Sequence, residues 1–331
     1  MKRLEDLQTP CLIVDETSLR HNLDVMATAL PGRKCRPHVK AHKSSALAKM
    51  QVAAGHEALT CATVREALGL AEAGLGEDIL LANELVDAVR LEVLARADAR
   101  ITVVVDSEET LRAAAKAGLR ECVIDVDVGL HRCGCFPHDA GRLAEHAAAV
   151  GLSVRGVMGY EGHAVGIRDR AERERLTCEA MELLLVAHAE VGGDMITAGG
   201  TGTYDYNRWA SEIQAGSYLL MDTAYDALEL PFRRALSVLT TVISVSPDWA
   251  VGDCGLKALG MDHGPPTIEG ATVLRCSDEH ITFVPEAKVA VGDRAFVWPA
   301  HIDPTVAYHE ALWVVTRDEV IDQLPVDLRG W

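Results

Sequence analysis

The sequence predicts a (β/α)8 TIM-type barrel followed by an antiparallel β-domain. Short apolar runs alternate with helical patterns about eight times over some 220 residues, and such alternation makes a parallel sheet. The count and length suit a closed barrel better than a doubly wound sheet. No G-x-G-x-x-G follows the first apolar run, as a dinucleotide fold would require. From about Leu236 the texture changes to short β-branched runs broken by glycine and proline, the pattern of an antiparallel β-domain.

The elements follow in order. A first strand is expected at 10–15, around Cys11-Leu12-Ile13-Val14, then a helix at 16–30 with Leu19, Leu23, Met26 and Leu30 on one face. A second strand at 35–39 leads into Lys40, and the helix at 44–54 stops at Gly55, a C-cap signal. Strand–helix pairs follow at 59–62 with 64–73, 78–81 with 85–96, 101–105 with 108–117, 121–128 with 139–150, and 154–160 with 170–191. Strands at 195–197 and 213–220 complete the set. Beyond them, extended runs at 237–245, 272–276, 280–285, 294–297 and 312–316 are separated by turns such as Gly264-Pro265-Pro266 and Val291-Gly292-Asp293. The pattern divides the chain into a barrel over 9–232 and a β-domain over 233–331 that takes in 1–8.

The chain has 331 residues, 49% of them hydrophobic, enough to bury a sizeable core. A net charge of −17 argues against a nucleic-acid partner, because phosphates select a basic footprint. It fits a soluble cytoplasmic enzyme and says little about the substrate. The start, Met1-Lys2-Arg3-Leu4-Glu5-Asp6, is not followed by an apolar signal core, and no apolar stretch is long enough to span a membrane. Nine cysteines, an odd number, do not suggest disulfides in such a chain. Cys133-x-Cys135 lacks the second pair that a structural zinc site needs.

Five constellations carry candidate chemistry. Arg36-Pro37-His38-Val39-Lys40-Ala41-His42-Lys43 puts a lysine at the C-terminal end of an expected barrel strand, the face where such barrels place their chemistry. An amine among cations and partly desolvated gives up its proton more readily, as a Schiff-base lysine requires. A surface lysine beside two solvated histidines offers the same pattern. In Gly199-Gly200-Thr201-Gly202-Thr203, small residues let amides approach a phosphate and hydroxyls add donors. It is not a P-loop, since no Gly-Lys-Ser/Thr ends it, and a tight turn is the other reading. Arg132, in Asp127-Val128-Gly129-Leu130-His131-Arg132-Cys133-Gly134, can make a forked contact to a phenolate or carboxylate, or be an ordinary exposed arginine. Tyr160-Glu161-Gly162-His163 offers an aromatic face or hydroxyl in Tyr160 and a base near neutral pH in His163, which can equally be structural. His301-Ile302-Asp303 follows an expected strand. Alternate residues of an extended chain point the same way, so imidazole and carboxylate can meet one ion. Mixed N/O ligation suits Mn2+ or Mg2+ more than structural zinc. A turn with a chance pair is the alternative. Asp278-Glu279-His280 offers outer support for such a site or a polar hairpin corner.

Taken in order, these motifs resemble the fold-type III pyridoxal phosphate (PLP) enzymes, in the branch of the D-threonine aldolases and D-serine dehydratases, which is related to alanine racemase. Glu212-Ile213-Gln214-Ala215-Gly216-Ser217-Tyr218 and Asp253-Cys254-Gly255-Leu256-Lys257 also match in order, and the resemblance covers nearly the whole chain. It implies an N-terminal α/β barrel, a C-terminal β-domain and a homodimer. It implies Lys40 as the lysine that bonds PLP, Arg132 near the ring oxygen and Tyr160 near the ring. Gly199, Gly200 and Thr201 would meet the phosphate together with Tyr218, and His301 and Asp303 would be the divalent-metal pair. The P-x-H-x-(Cys or Asp)-P-T motif carries aspartate in the Mn2+-type aldolases and cysteine in zinc dehydratases. Asp303 therefore implies an aldolase, with Mn2+ or Mg2+ rather than Zn2+, a hard ligand on a hard ion. One departure matters: 252–257 contains no tyrosine, so the second base of alanine racemase is missing. The implied reaction is retro-aldol cleavage of a D-β-hydroxy-α-amino acid, D-threonine or D-3-hydroxyaspartate, to glycine and an aldehyde. A metal-bound water or His163 would take the β-hydroxyl proton. The rivals are β-elimination, as by a D-serine or D-3-hydroxyaspartate dehydratase, and a non-catalytic PLP-carrier barrel, which typically lacks a β-domain.

Overall fold

In the computed structural model, which describes residues 2–331, the chain divides into two units. One comprises the chain up to Val25 with Ala41–Leu47 and Ser217–Arg329; the other comprises Met26–Lys40, Ala48–Gly216 and Gly330–Trp331. The first strand, β1 (Cys11–Asp15), forms where the apolar run expects it, but it is not a barrel strand. It pairs between β-strands of the first unit's sheet and not with the parallel strands of the barrel unit, where the sequence pattern expects it. Its residues Cys11 to Val14 are buried, and a strand buried on both faces reads alike in either sheet, so the pattern shows the strand and not its partner.

Seven short strands build the barrel unit: β2 (Leu59–Cys61), β3 (Ile79–Leu81), β4 (Ile101–Val105), β5 (Glu121–Asp125), β6 (Ser153–Met158), β7 (Met195–Ala198) and β8 (Glu212–Ile213). They pair in parallel and in chain order. The eighth stave is the extended chain from Cys35 to His38, bridged to Ile213 on one side and Thr60 on the other. Its Arg36 and His38 amides donate to the Ile213 and Ala215 carbonyls at 2.9 and 3.0 Å, and the Thr60 amide donates to the Pro37 carbonyl at 2.9 Å. Pro37 has no N–H to continue a ladder, so this stave makes bridges rather than the full strand expected at 35–39. A one-turn 3-10 helix, Val39–Ala41, follows and carries Lys40. The last expected strand, at 213–220, is only the two residues of β8, with a 3-10 turn at Ser217–Leu219.

Helices Val64–Glu72, Ala88–Ala95, Glu108–Ala117, Ala140–Ala149 and Arg170–Val191 follow β2 to β6 in turn. Thr63, Asp87, Ser107 and Asp169 each accept a first-turn amide in their side chains, the donors a helix start leaves unpaired. Gly156 in β6 has φ +147°, and a Cβ there would lie 1.9 Å from the Met195 carbonyl of β7, so only glycine lets these two strands pair.

Near the strand N-termini the barrel is filled by ions. Arg36, 1% exposed, donates to Glu212 Oε1 at 2.6 Å and Asp78 Oδ1 at 3.2 Å. Arg155 clamps both Asp78 oxygens at 2.8 and 2.9 Å. Burial opposes the Asp78 charge, but the hydrogen bonds from Arg155 and the nearby Arg36 charge outweigh it and hold its carboxyl well below the usual range.

In the first unit, strands β9 (Leu236–Val245), β10 (Ala250–Gly252), β11 (Thr267–Ile268), β12 (Ala271–Cys276), β13 (Ile281–Pro285) and β14 (Arg294–Trp298) run β10-β13-β12-β11-β14-β9. The pairing of β9 with β10 closes them into an antiparallel barrel. The sheet continues from β9 through β1 to β15 (Ala311–Thr316) and β16 (Glu319–Pro325). Asp253 ties the sheet together: its carboxylate accepts from the Thr240 hydroxyl at 2.8 Å, the Thr241 amide at 2.9 Å and the Thr9 hydroxyl at 2.6 Å.

Candidate active site

In the barrel unit the candidate residues lie past the C-terminal ends of the staves. Lys40 sits on the 3-10 turn that ends the eighth stave, its amide 3.4 Å from His38 Nδ1. After β5 the chain doubles back, with the Asp127 amide on the Cys135 carbonyl and the Cys135 amide on the Asp125 carbonyl, at 3.0 and 2.9 Å. That closed loop presents Arg132. After β6 come Tyr160, Glu161 and His163, and after β7 the Gly-Thr loop.

One aromatic ring gathers three of these groups. The Lys40 Nζ lies 5.9 Å, and the Arg132 guanidinium carbon 5.5 Å, from the centre of the Tyr160 ring, both within cation–π reach. A Cβ on Gly200 would come 3.7 Å from Tyr160 Cε2 and 3.4 Å from Val165 Cγ1, so the loop passes beside that ring. His163 packs on Gly129, where an added Cβ would meet its Cε1 at 3.3 Å. Its Nδ1 is buried with no hydrogen-bond partner among the described residues. At the root of the Arg132 loop, Asp125 is pushed well up, first by burial and then by its hydrogen bond to Glu84, while the Arg132 charge opposes. An amine, a guanidinium and a glycine–hydroxyl loop around one aromatic face fit a flat, anionic cofactor such as PLP.

Glu161 was given no role by the sequence reading, yet it holds the loop. Its Oε2 accepts the Gly199 amide at 3.0 Å, and its Oε1 accepts the Thr203 hydroxyl at 2.9 Å and Asn207 Nδ2 at 3.2 Å. A carboxylate immediately after Tyr160, one strand before a glycine-rich loop, was the available signal. Tyr218 lies in the other unit, fully buried and tilted against Phe232 at 5.6 Å between ring centres.

His301 and Asp303 also lie in that first unit. They meet by a different geometry from the strand alternation expected of them. His301 is the N-cap of a short helix, Ile302–Ala307, and Asp303 is in its first turn. The next residue, Pro304, is tolerated there because first-turn amides have no partner to lose. His301 Nε2 stands 3.8 Å from Asp303 Oδ1, and its Nδ1 stands 2.7 Å from Asp262 Oδ2. The His263 ring stacks on it, 3.8 Å between centres and 7° from parallel. Ligand atoms of Asp262, His263 and His301 fall within 4.8 Å of one another. Asp222 accepts the Ile302 amide on Oδ2 at 3.0 Å. Burial pushes the Asp222 carboxyl up to about 7, against that hydrogen bond and the His301 charge. The Oδ1 atoms of Asp222 and Asp303 are both buried without a hydrogen-bond partner among the described residues. Buried acceptors ordinarily carry a hydrogen bond, and two carboxylate oxygens without one near an imidazole are a donor set that fits a hard divalent cation.

The sequence reading missed Asp222, Asp262 and His263. The expected outer support from Asp278-Glu279-His280 takes the other form it allowed, a hairpin corner between β12 and β13 closed by the Ser277 amide on the His280 carbonyl at 2.9 Å. Glu279 there pairs with Lys257 at 2.5 Å.

Residues 14–223 match the family described as alanine racemase, N-terminal domain, and residues 235–315 match a serine dehydratase domain. The chain is 34% identical to a D-threonine aldolase of Arthrobacter sp, over 99% of this chain and 94% of that one. It is 31% identical to a 3-hydroxy-D-aspartate aldolase of Paracoccus denitrificans, over 98% and 93% of the two chains. Among solved structures it is similar to the D-threonine aldolase of Filomicrobium marinum, with a TM-score of 0.93 and 31% identity over 99% of this chain and 97% of that one.

Proposed function

The chain belongs to the family of alanine racemases and D-threonine aldolases, pyridoxal phosphate enzymes of fold type III, and from that premise we propose that it is a carbon–carbon lyase. It splits a D-β-hydroxy-α-amino acid, of the D-threonine or D-3-hydroxyaspartate type, into glycine and an aldehyde. The observation that carries this reading is likeness to two named aldolases along nearly the whole of both chains. An oxygen ligand at Asp303, rather than a thiolate, is in keeping with it.

Each residue then has a task. Lys40 would hold the cofactor, with Arg132 and Tyr160 along its ring and the 199–203 loop and Tyr218 at its phosphate; the Gly199 and Gly200 amides themselves are taken by Glu161 Oε2 and the Thr203 hydroxyl oxygen. PLP supplies an electron sink for the charge left on the substrate Cα when the Cα–Cβ bond breaks. His301 and Asp303 would hold the divalent cation, Mn2+ or Mg2+ before Zn2+, which makes the β-hydroxyl more acidic. A metal-bound water or His163 would take the hydroxyl proton. The reading extends to a homodimer in the cytoplasm. Among the described residues no helix is long and apolar enough to cross a membrane.

The test is incubation with a panel of D- and L-β-hydroxy amino acids, with and without added Mn2+. Metal-dependent release of glycine and an aldehyde from D-substrates is the expected result. Ammonia and a keto acid instead would replace the aldolase by a dehydratase, and no product from any substrate would favour a cofactor carrier.

A further inference from the structure

We propose that Glu161 is the positioning residue for the phosphate end of the cofactor site, fixing the shape of the 199–203 loop that would meet a phosphate ester. The inference rests on the PLP reading above and adds to it a residue that does not touch the cofactor.

The geometry is specific. Glu161 is fully buried, and it reaches from the end of β6 to both ends of the loop after β7. Oε2 takes the amide of Gly199, the first loop residue, and Oε1 takes the hydroxyl of Thr203, the last. Asn207 adds a third donor. Within the loop, the Gly200 amide lies 3.2 Å from the Thr203 hydroxyl oxygen and the Thr203 amide 3.2 Å from the Gly200 carbonyl. Gly199 has φ +82°, and a Cβ on Gly202 would lie 1.9 Å from the Val165 carbonyl oxygen. Side chains are thus excluded at these two loop positions, by Ile213 at Gly199 and by Val165 at Gly202.

A plain turn does not call for a buried charge. Taking a carboxylate out of water is costly, and a neutral or apolar residue would fill the same space at less expense. An ionised carboxylate accepts only, so every donor that faces Glu161 is turned inward. The backbone between those two anchors is left in one conformation, which is what a preorganised anion site needs. Burial raises the proton affinity of Glu161, while the Gly199, Thr203 and Asn207 donors oppose it. Those oriented dipoles offset the repulsion of a second anion nearby.

The test compares PLP with pyridoxal, which lacks the phosphate. Apoprotein of the wild type, Glu161→Gln and Asn207→Ala is titrated with each compound, following the absorbance of the lysine-bound aldehyde. In Glu161→Gln a donor can face the Gly199 amide, and the preference for PLP over pyridoxal should fall by about tenfold or more, the scale of a lost charge-assisted contact. Asn207→Ala should lower the preference by a smaller factor, with pyridoxal affinity within about twofold of wild type, since removing one donor leaves two. A wild-type preference in both variants, or an equal loss for both compounds, overturns the proposal. Should Glu161→Gln not fold, an unchanged preference in Asn207→Ala alone overturns it. Wild-type protein that binds neither compound would instead overturn the cofactor reading, and this inference with it.

Discussion

Asp222 and Asp303 each bury a carboxylate oxygen with no donor on it, and that is the residue-scale sign of a cation. Asp222 is raised to about 7 by burial, whereas an unfolded aspartate titrates near 3.9. Between roughly pH 4 and 7 the folded chain therefore holds a proton that the unfolded chain has released, so this group removes stability as pH rises through that window. With EDTA present, Asp222→Asn should stabilise the protein at pH 8 by about 1–3 kcal/mol, the cost of an unpartnered buried polar group. It should bring almost no gain at pH 4. Urea unfolding at the two pH values checks this, and a larger gain at pH 4 would contradict the assignment. Lys40, His301 and Asp303 stand in recognisable runs of sequence. Asp222 and Asp262 do not, because their partners are 80 and 39 residues away along the chain.

At the scale of elements, the eighth stave and the ion cluster near the strand starts show how local pattern and tertiary pairing diverge. Proline at position 37 breaks the ladder, yet the same stretch bridges two strands through three backbone hydrogen bonds. The cluster centred on Asp78 draws on the starts of β6 and β8 and on Arg36, positions spread along the chain. The Asp78 carboxyl is held below its unfolded value by Arg155 and Arg36. Its contribution is present above about pH 4, the unfolded carboxylate value, and is lost as pH falls through the folded one. Asp78→Asn should cost about 3–5 kcal/mol at pH 7, the usual result of breaking a buried ion pair from one side. The difference from wild type should narrow below about pH 4, where the unfolded carboxylate takes up its proton. Denaturant midpoints across that range measure it, and a constant difference would contradict the linkage.

Across the whole molecule, the candidate cofactor residues other than Tyr218 belong to the barrel unit, and the candidate metal ligands belong to the β-barrel unit. Chelation should therefore abolish turnover while leaving the absorbance of lysine-bound PLP in place. Activity and spectrum recorded before and after EDTA decide it: full activity after metal removal would end the cation's role, and loss of the absorbance would mean that the cation also supports the cofactor. The sequence by itself determined the class of fold, the change of texture near Leu236 and the order of the motifs, because hydrophobic period and glycine placement are local properties that survive without partners. Only the tertiary structure decided that β1 leaves the barrel for the other sheet, that the stave at Cys35–His38 closes the barrel, and that Glu161, Asp222, Asp262 and His263 attend the two candidate sites. Those choices depend on which distant groups satisfy a buried donor or acceptor, and hydrogen-bond pairing across long separations leaves no periodic mark in the chain.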